Sequence, residues 1–213
     1  KLERINGRYI ISEISSVLNF QKGILFTIKE LLIRPGKNIS VFIAEDRNRL
    51  VKPIVFILIT SLIYSIIIRI FHFDEGGIDG VMAGLEDKMK VTLTIFKWIQ
   101  ENYGYANIIM AVFIGLWLKV FFRKYPYNFF EILILLCFIM GIEMLIFAVF
   151  TIMHSFSSID FISIGVLVVL IYSTYAIGQF FDKRKIANYA KALISYLLGM
   201  ITFTFLSLSI GII

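Results

Sequence analysis

Long apolar runs recur along this chain, and they constrain its fold more than any other feature. Residues 54–71, for example, form a run that contains one charged side chain, Arg69. An α-helix needs about 20 predominantly apolar residues to cross about 30 Å of hydrocarbon. Because backbone polar groups in lipid must be satisfied internally, such runs are expected to be helices. The chain is therefore predicted to lie in a membrane.

Five apolar segments predict an all-α fold, a polytopic membrane helical bundle of about five transmembrane helices. The bundle covers residues 53–213, and the predicted spans are residues 54–71, 105–122, 128–153, 159–181 and 192–213. Ahead of the second span, apolar residues recur at three- and four-residue spacing. This spacing predicts an outer amphipathic loop helix over about residues 79–103.

Residues 1–52 carry shorter apolar stripes between charged residues. Neither of the first two stripes is long enough to span, and Gly23 separates them. The run Arg34-Pro35-Gly36 predicts a turn after the second stripe, and Asn38 or Ser40 is then a candidate cap for a third short helix. We interpret this region as amphipathic helices on the cytoplasmic membrane surface. The alternative is a small helical layer packed on the ends of the spanning helices.

The loop charges alternate along the chain, and this alternation predicts orientation. The segments before span one, between spans two and three, and between spans four and five are basic. Residues 72–104 instead hold six acids against three lysines, and residues 154–158 hold no Lys or Arg. The positive-inside rule then places the N-terminus in the cytoplasm and the C-terminus outside. Basic residues predicted to contact inner-leaflet headgroups are Arg34, Lys37, Arg47, Arg49, Lys52, Lys183, Arg184 and Lys185.

Composition excludes several function classes. The formal charge of +6 comes from residues that flank apolar runs, so we predict membrane lipids as partners and no nucleic acid. The single cysteine, Cys137, excludes an intrachain disulfide and a cysteine-based metal site. The motifs of serine hydrolases, zinc proteases and phosphate loops do not occur. The sequence therefore predicts no catalytic residues, no metal and no cofactor.

One acid falls near the centre of a span. Glu143 lies a few residues past the middle of span three, where desolvation favours a protonated carboxyl. Depth counting places Tyr64, Tyr172 and Thr202 at a similar level, together with Ser173, and predicts a midplane polar site. Such a site would titrate protons or coordinate a cation. Alternatively, a neutral Glu143 would only join helices through hydrogen bonds.

A second acid lies near the cytoplasmic end of span three. Glu131 is about as deep as Lys119 on span two, and an ion pair between them is predicted. The alternative is that Glu131 reaches interfacial water. Both interpretations assign Glu131 a structural role.

Several stretches resemble an uncharacterised, domain-of-unknown-function family of bacterial multi-pass membrane proteins. They run from Phe20 to Lys37, fitting the pattern FxKGxxxTxKELLxRPGK, and from Arg47 to Pro53. The stretch from Tyr127 to Glu131 resembles the start of a later span in that family, and Ile132 stands where the family often has histidine. Members usually carry an N-terminal zinc ribbon, absent from this chain. The resemblance implies topology and no particular activity.

These observations predict a bacterial inner-membrane protein of unassigned activity that acts as a non-enzymatic binding or assembly component. A protein partner or a second copy of the chain is a further candidate partner. Two alternatives stay open. One is a small channel or carrier that uses the Glu143 level, which a water-filled cavity at Glu143 would favour. The other is a membrane enzyme acting on lipids.

Overall fold

The computed structural model describes residues 23–71, 103–157 and 159–212. All regular structure in these three ranges is helical, which confirms the predicted all-α class. We number the helices in chain order: α1, residues 23–33; α2, Pro35–Ala44; α3, Pro53–Ile70; α4, Tyr103–Phe121; α5, Phe129–Ser155; α6, Phe161–Asp182; and α7, Ile186–Ile212. The predictions for residues 1–22, and for residues 79–102 of the outer loop helix, lie outside the described residues.

Length and composition support a helical membrane bundle. Helices long and apolar enough to cross a membrane are Pro53–Ile70, Phe129–Ser155, Phe161–Asp182 and Ile186–Ser207. A shorter apolar helix, Tyr105–Phe121, corresponds to the predicted second span. Helix α7 begins at Ile186, ahead of the predicted start at residue 192. This earlier start changes the position of every residue counted from the start of α7.

Helix α5 forms the centre of the bundle. It packs against α3, α4 and α6, and α7 packs against α4 and α6. Most side chains in the middle of α5 are buried, and the rings of Phe56 on α3 and Phe138 on α5 lie 5.8 Å apart. The opposite face of α3 is apolar and exposed, as expected for a surface in contact with lipid. That face consists of Ile54, Leu58, Leu62, Ile66 and Ile70.

Helices α4 and α7 approach closely at Gly199. A Cβ atom at this position would lie 2.5 Å from the Cα of Ile114 and 2.8 Å from its backbone nitrogen. Small residues at such crossings let the backbones of membrane helices touch, which improves their packing. Near this crossing, the Trp117 Nε1–H donates to the Thr202 hydroxyl at 3.0 Å.

The loop between α4 and α5 is held against the end of α6 by aromatic rings. Phe122 and Phe181 stack with ring centroids 3.8 Å apart, and the ring of Tyr127 lies 4.3 Å from that of Phe180. Such ring pairs contribute about 0.5–1.5 kcal/mol each beyond their buried area. The cluster fixes the α4–α5 loop beside the end of α6.

The predicted turn after the second apolar stripe is wrong. The chain bends at Arg34, but Pro35 begins α2 rather than a turn. Proline suits this first helical position because the N–H that it lacks would have no intrahelical partner. Asn38 and Ser40 therefore lie inside α2 and do not cap a helix. The Asn38 side chain instead donates to the Glu30 carbonyl at 2.8 Å, across the bend.

Candidate functional site

Helix α2 is joined to α6 by hydrogen bonds at its N-terminus. The Gln179 Oε1 atom accepts from the Gly36 N–H at 2.8 Å and from the Lys37 N–H at 3.3 Å. The first N–H groups of a helix lack intrahelical partners, so Gln179 provides acceptors that the chain does not supply locally. The Gln179 Nε2 group donates to the Tyr175 hydroxyl at 3.0 Å, which orients the amide.

Gly36 allows this contact because it has no side chain. A Cβ atom there would lie 2.4 Å from the backbone nitrogen of Phe180 and 2.6 Å from the carbonyl carbon of Gln179. Carbon atoms pack best at about 3.5–4.0 Å, so any side chain at Gly36 would push the two helices apart. The backbone of α2 therefore rests directly on that of α6.

Helix α1 lies beside the middle of α6. The Tyr172 hydroxyl donates to the Leu31 carbonyl at 3.3 Å, and the Leu31 side chain is completely buried. One turn earlier on α1, the Thr27 hydroxyl accepts from the Val51 N–H at 3.0 Å. These bonds tie α1 to both α6 and the start of α3.

A partly open apolar pocket of about 460 Å³ lies between α1, α5 and α6. Its lining residues are Ile28, Leu32, Ile142, Leu145, Ile146, Val149, Phe150, Val168 and Tyr172. The volume falls within the range of about 300–1,000 Å³ typical of ligand pockets. The Tyr172 hydroxyl, the one polar side-chain group among these residues, is bonded to Leu31. The pocket thus offers a ligand apolar contacts only.

A second pocket, of about 750 Å³ and lined by basic residues, lies between α2 and the end of α6. Its lining residues are Ile33, Arg34, Gly36, Lys37, Ser40, Val41, Glu45, Tyr175, Gln179, Phe180, Asp182, Lys183 and Arg184. Leu32 lines the apolar pocket and the next residue, Ile33, lines the basic one. We call the pair the α1–α6 cleft.

The predicted headgroup contacts divide into two groups. Arg34, Lys37, Lys183 and Arg184 line the basic pocket, and all four are exposed. The other four predicted contacts do not line this pocket. Arg47 and Lys52 are exposed on the segment before α3, Arg49 pairs with Glu30 at 2.8 Å, and Lys185 pairs with Asp182 at 3.2 Å. The hydrogen bond with Asp182 is the main cause that raises the pKa of Lys185, and the nearby Tyr125 raises it further.

Glu143 is 5% exposed and joins three helices. The Tyr196 hydroxyl of α7 donates to Glu143 Oε2 at 2.9 Å, and the Ser173 hydroxyl of α6 is hydrogen-bonded to Glu143 Oε1. The Ser173 hydroxyl also lies 2.7 Å from the Val169 carbonyl oxygen. The carboxyl therefore has a hydroxyl partner on each of two neighbouring helices.

Two of the four residues predicted for the midplane site, Tyr172 and Thr202, form hydrogen bonds away from Glu143, although Tyr172 still interacts electrostatically with that carboxyl. The Tyr172 hydroxyl donates to the Leu31 carbonyl, and the Thr202 hydroxyl bonds within α7 and accepts from Trp117. Tyr64 packs against the hydrophobic core. Tyr196 was missed because depth was counted from residue 192. Counted from Ile186, Tyr196 lies well inside α7.

The predicted ion pair between Glu131 and Lys119 does not form, although both side chains are among the described residues. The Glu131 carboxylate accepts from the Asn128 N–H at 2.7 Å, and the Asn128 side chain accepts from the Glu131 N–H at 2.9 Å. This reciprocal arrangement is a capping box at the start of α5. Lys119 donates instead to the Tyr127 carbonyl at 2.6 Å. A local helix cap thus takes the place of the longer-range pair.

A family model matches part of this chain. Residues 21–65 match the family described as "Protein of unknown function (DUF3667)". The match confirms the resemblance to an uncharacterised family over this segment. The zinc ribbon and the bacterial source that the resemblance implied stay predictions. No curated protein and no solved structure matches the chain.

The matched segment forms one wall of the α1–α6 cleft. It includes the described part of α1, all of α2 and most of α3. The other wall, on α5 and α6, lies outside the match. Among the described residues, no group of three or more His, Cys, Asp and Glu side chains could hold a metal ion. The cleft and the Glu143 contacts are therefore the two candidate sites.

Proposed function

We propose that this protein is a non-catalytic component of the bacterial inner membrane that binds membrane lipid in the α1–α6 cleft. The apolar pocket between α1, α5 and α6 carries the proposal. It is partly open, and α5 and α6 are apolar enough to span the membrane, so acyl chains surround it. A pocket with apolar walls in that environment suits a chain of methylene groups.

The contacts of α1 and α2 support a binding role over a purely structural one. Helix α1 covers one side of the pocket and exposes apolar side chains on its outer face, including Leu25 and Ile33. Because α1 lies beside the middle of α6, these exposed side chains are at the level of the acyl chains. Since α2 is fixed to α6 through Gln179, the wall that α1 forms is held in place.

The carrier alternative receives less support. Glu143 lines neither the apolar pocket nor the basic pocket, and it is 5% exposed. Its hydrogen bonds join α5 to α6 and α7, which is what a structural carboxyl would do. We therefore favour lipid binding at the cleft over ion movement at Glu143.

Replacing Val168 with tryptophan tests the binding role. Val168 lines the apolar pocket, and its neighbour Leu167 is 60% exposed and does not line it. Tryptophan at Val168 should fill the pocket and reduce co-purified lipid several-fold, whereas tryptophan at Leu167 should leave it unchanged. Native mass spectrometry of the detergent-solubilised protein measures the bound lipid. Equal lipid in both variants and the wild type would count against the proposal.

The proposed orientation has the N-terminus in the cytoplasm and the C-terminus outside. The basic residues Arg123 and Lys124 share a pocket with Lys185 and Lys191, so the α4–α5 and α6–α7 loops lie at one end of the bundle. The positive-inside rule assigns that end to the cytoplasm.

Cysteine labelling checks this orientation. In a chain with Cys137 replaced by alanine, a cysteine at Gly77 should react with a membrane-impermeant reagent added outside intact cells. A cysteine at Lys185 should react only after the cells are opened. The reverse pattern would show the opposite orientation.

A further inference from the structure

We infer that the α1–α6 cleft selects an anionic glycerophospholipid, with its headgroup in the basic pocket and an acyl chain in the apolar pocket. This inference rests on the proposed lipid-binding function and adds the class of lipid. The polarity of the cleft changes along its length, and the polarity of a phospholipid changes in the same way.

The residues that line the two pockets are neighbours along α1 and along α6, so we place one lipid across both. Leu32 lines the apolar pocket, whereas Ile33 and Arg34 line the basic one. On α6, Tyr172 lines the first pocket and Tyr175, one turn further along the helix, lines the second. From Tyr172 towards Lys183, the pocket-lining residues beside α6 therefore change from apolar to cationic.

The charge of the basic pocket favours an anion. Its lining includes four cationic side chains and two acidic ones, Glu45 and Asp182. Asp182 is already paired with Lys185, which does not line this pocket. The four cations are Arg34, Lys37, Lys183 and Arg184. In the part of the chain that the structure describes, none of these four forms a side-chain ion pair.

These cations, rather than a helix N-terminus, would hold the phosphate. The Gly36 and Lys37 N–H groups at the start of α2 already donate to Gln179 Oε1, so they are not available to a phosphate. The guanidinium of Arg34 or Arg184 can bind a phosphate through two parallel hydrogen bonds, and Lys37 and Lys183 add point charges. A choline headgroup would bring a positive charge next to these four cations and would be repelled.

Phosphatidylglycerol and phosphatidylcholine with identical acyl chains provide the test. Each is added to delipidated wild-type protein in detergent, and native mass spectrometry measures the bound fraction. The wild type should bind phosphatidylglycerol about tenfold more tightly, because clustered basic residues attract anionic headgroups. Equal binding of both lipids, together with loss of both in Val168→Trp, would overturn the lipid-class inference and leave the proposed function standing. Loss of neither in that variant would overturn both.

Two charge-matched triple variants locate the selectivity. Arg34→Gln, Lys37→Gln and Lys183→Gln together should remove the preference for phosphatidylglycerol and retain phosphatidylcholine binding, which also reports folding. The control carries Arg123→Gln, Lys124→Gln and Lys191→Gln, from a basic pocket on the α4–α5 and α6–α7 loops. It should keep the preference. An equal loss in both variants would mean that net charge alone is responsible and would overturn the inference.

Inorganic phosphate separates a lipid site from a free-anion site. Because phosphate has no acyl chain, an excess of it should displace little phosphatidylglycerol from the wild type. If phosphate displaces the lipid completely and Val168→Trp still binds phosphatidylglycerol, the basic pocket holds a free anion. That result would overturn the assignment of the cleft to a phospholipid.

Discussion

Replacing Gly36 with alanine should separate α2 from α6 and destabilise the protein by about 1–3 kcal/mol or more, the usual cost of overpacking. The new methyl group would lie 2.4 Å from the Phe180 backbone nitrogen, and a backbone atom cannot move aside as a side-chain end can. The displacement would also lengthen the two hydrogen bonds to Gln179. Thermal unfolding in detergent, followed by tryptophan fluorescence, measures the change.

Gly23 provides a matched control on the neighbouring helix. A Cβ atom at Gly23 would lie 3.6 Å from Val51 Cγ2, an ordinary van der Waals contact. Alanine is a better helix former than glycine by up to about 1 kcal/mol, so Gly23→Ala should be neutral or stabilising. If Gly36→Ala unfolds at the same temperature as Gly23→Ala, then α2 does not rest on α6 as described.

Gly36→Ala should also weaken the preference for anionic lipid. The bend at Arg34 and the first turn of α2 carry two cations of the basic pocket, Arg34 and Lys37, and both would move with α2. The Glu143 contacts lie on α5, α6 and α7 and should be unaffected. Stability and lipid selectivity are thus coupled at one glycine.

The bundle could be predicted from the sequence because its signal is local. Each apolar run identifies a helix without knowledge of its neighbours, and the four helices apolar enough to span overlap predicted runs. Helix ends are less well determined. The stretch from Ile186 to Lys191 is mixed in polarity, so hydropathy alone starts span five at residue 192, whereas the helix starts at Ile186.

The cleft could not be predicted because the contacts that build it join distant residues. The bond between Gly36 and Gln179 connects positions 143 residues apart. A Pro-Gly pair is compatible with a turn and with the first turn of a helix, and here the acceptor on Gln179 favours the helix. A signal in the sequence is the amide side chain of Gln179 near the end of a mostly apolar helix.

The Glu143 contacts could be predicted in part. A carboxyl deep in a span needs hydrogen-bond partners, so a contact with a hydroxyl from another span was expected, and Ser173 was among the candidates. Tyr196 was not, because its depth depended on where α7 begins. The position of a polar partner on a helix is only as accurate as the helix boundary from which it is counted.

The hydrogen bonds at Glu143 can all be made with a neutral carboxyl. The Ser173 hydroxyl has one hydrogen, and two acceptors are near it: the Glu143 carboxyl and the Val169 carbonyl, the latter at 2.7 Å. If Ser173 donates to Val169, a protonated carboxyl supplies the hydrogen for its own contact with Ser173. The Tyr196 hydroxyl then donates to the other carboxyl oxygen at 2.9 Å. All three groups are satisfied at once.

Glu143→Leu should therefore destabilise the bundle by about 1–3 kcal/mol, because it removes two interhelical hydrogen bonds of roughly 0.6–1.7 kcal/mol each. Glu143→Gln is the matched control, since its amide can donate to Ser173 Oγ and accept from Tyr196. It should unfold within about 1 kcal/mol of the wild type, as expected where the replaced group keeps its partners. Steric-trap or detergent unfolding measurements on both variants give the comparison. If Glu143→Gln is as unstable as Glu143→Leu, the native site needs a charged carboxylate. The structural interpretation of Glu143 would then be wrong, and a cation at this level of the bundle would be the better explanation.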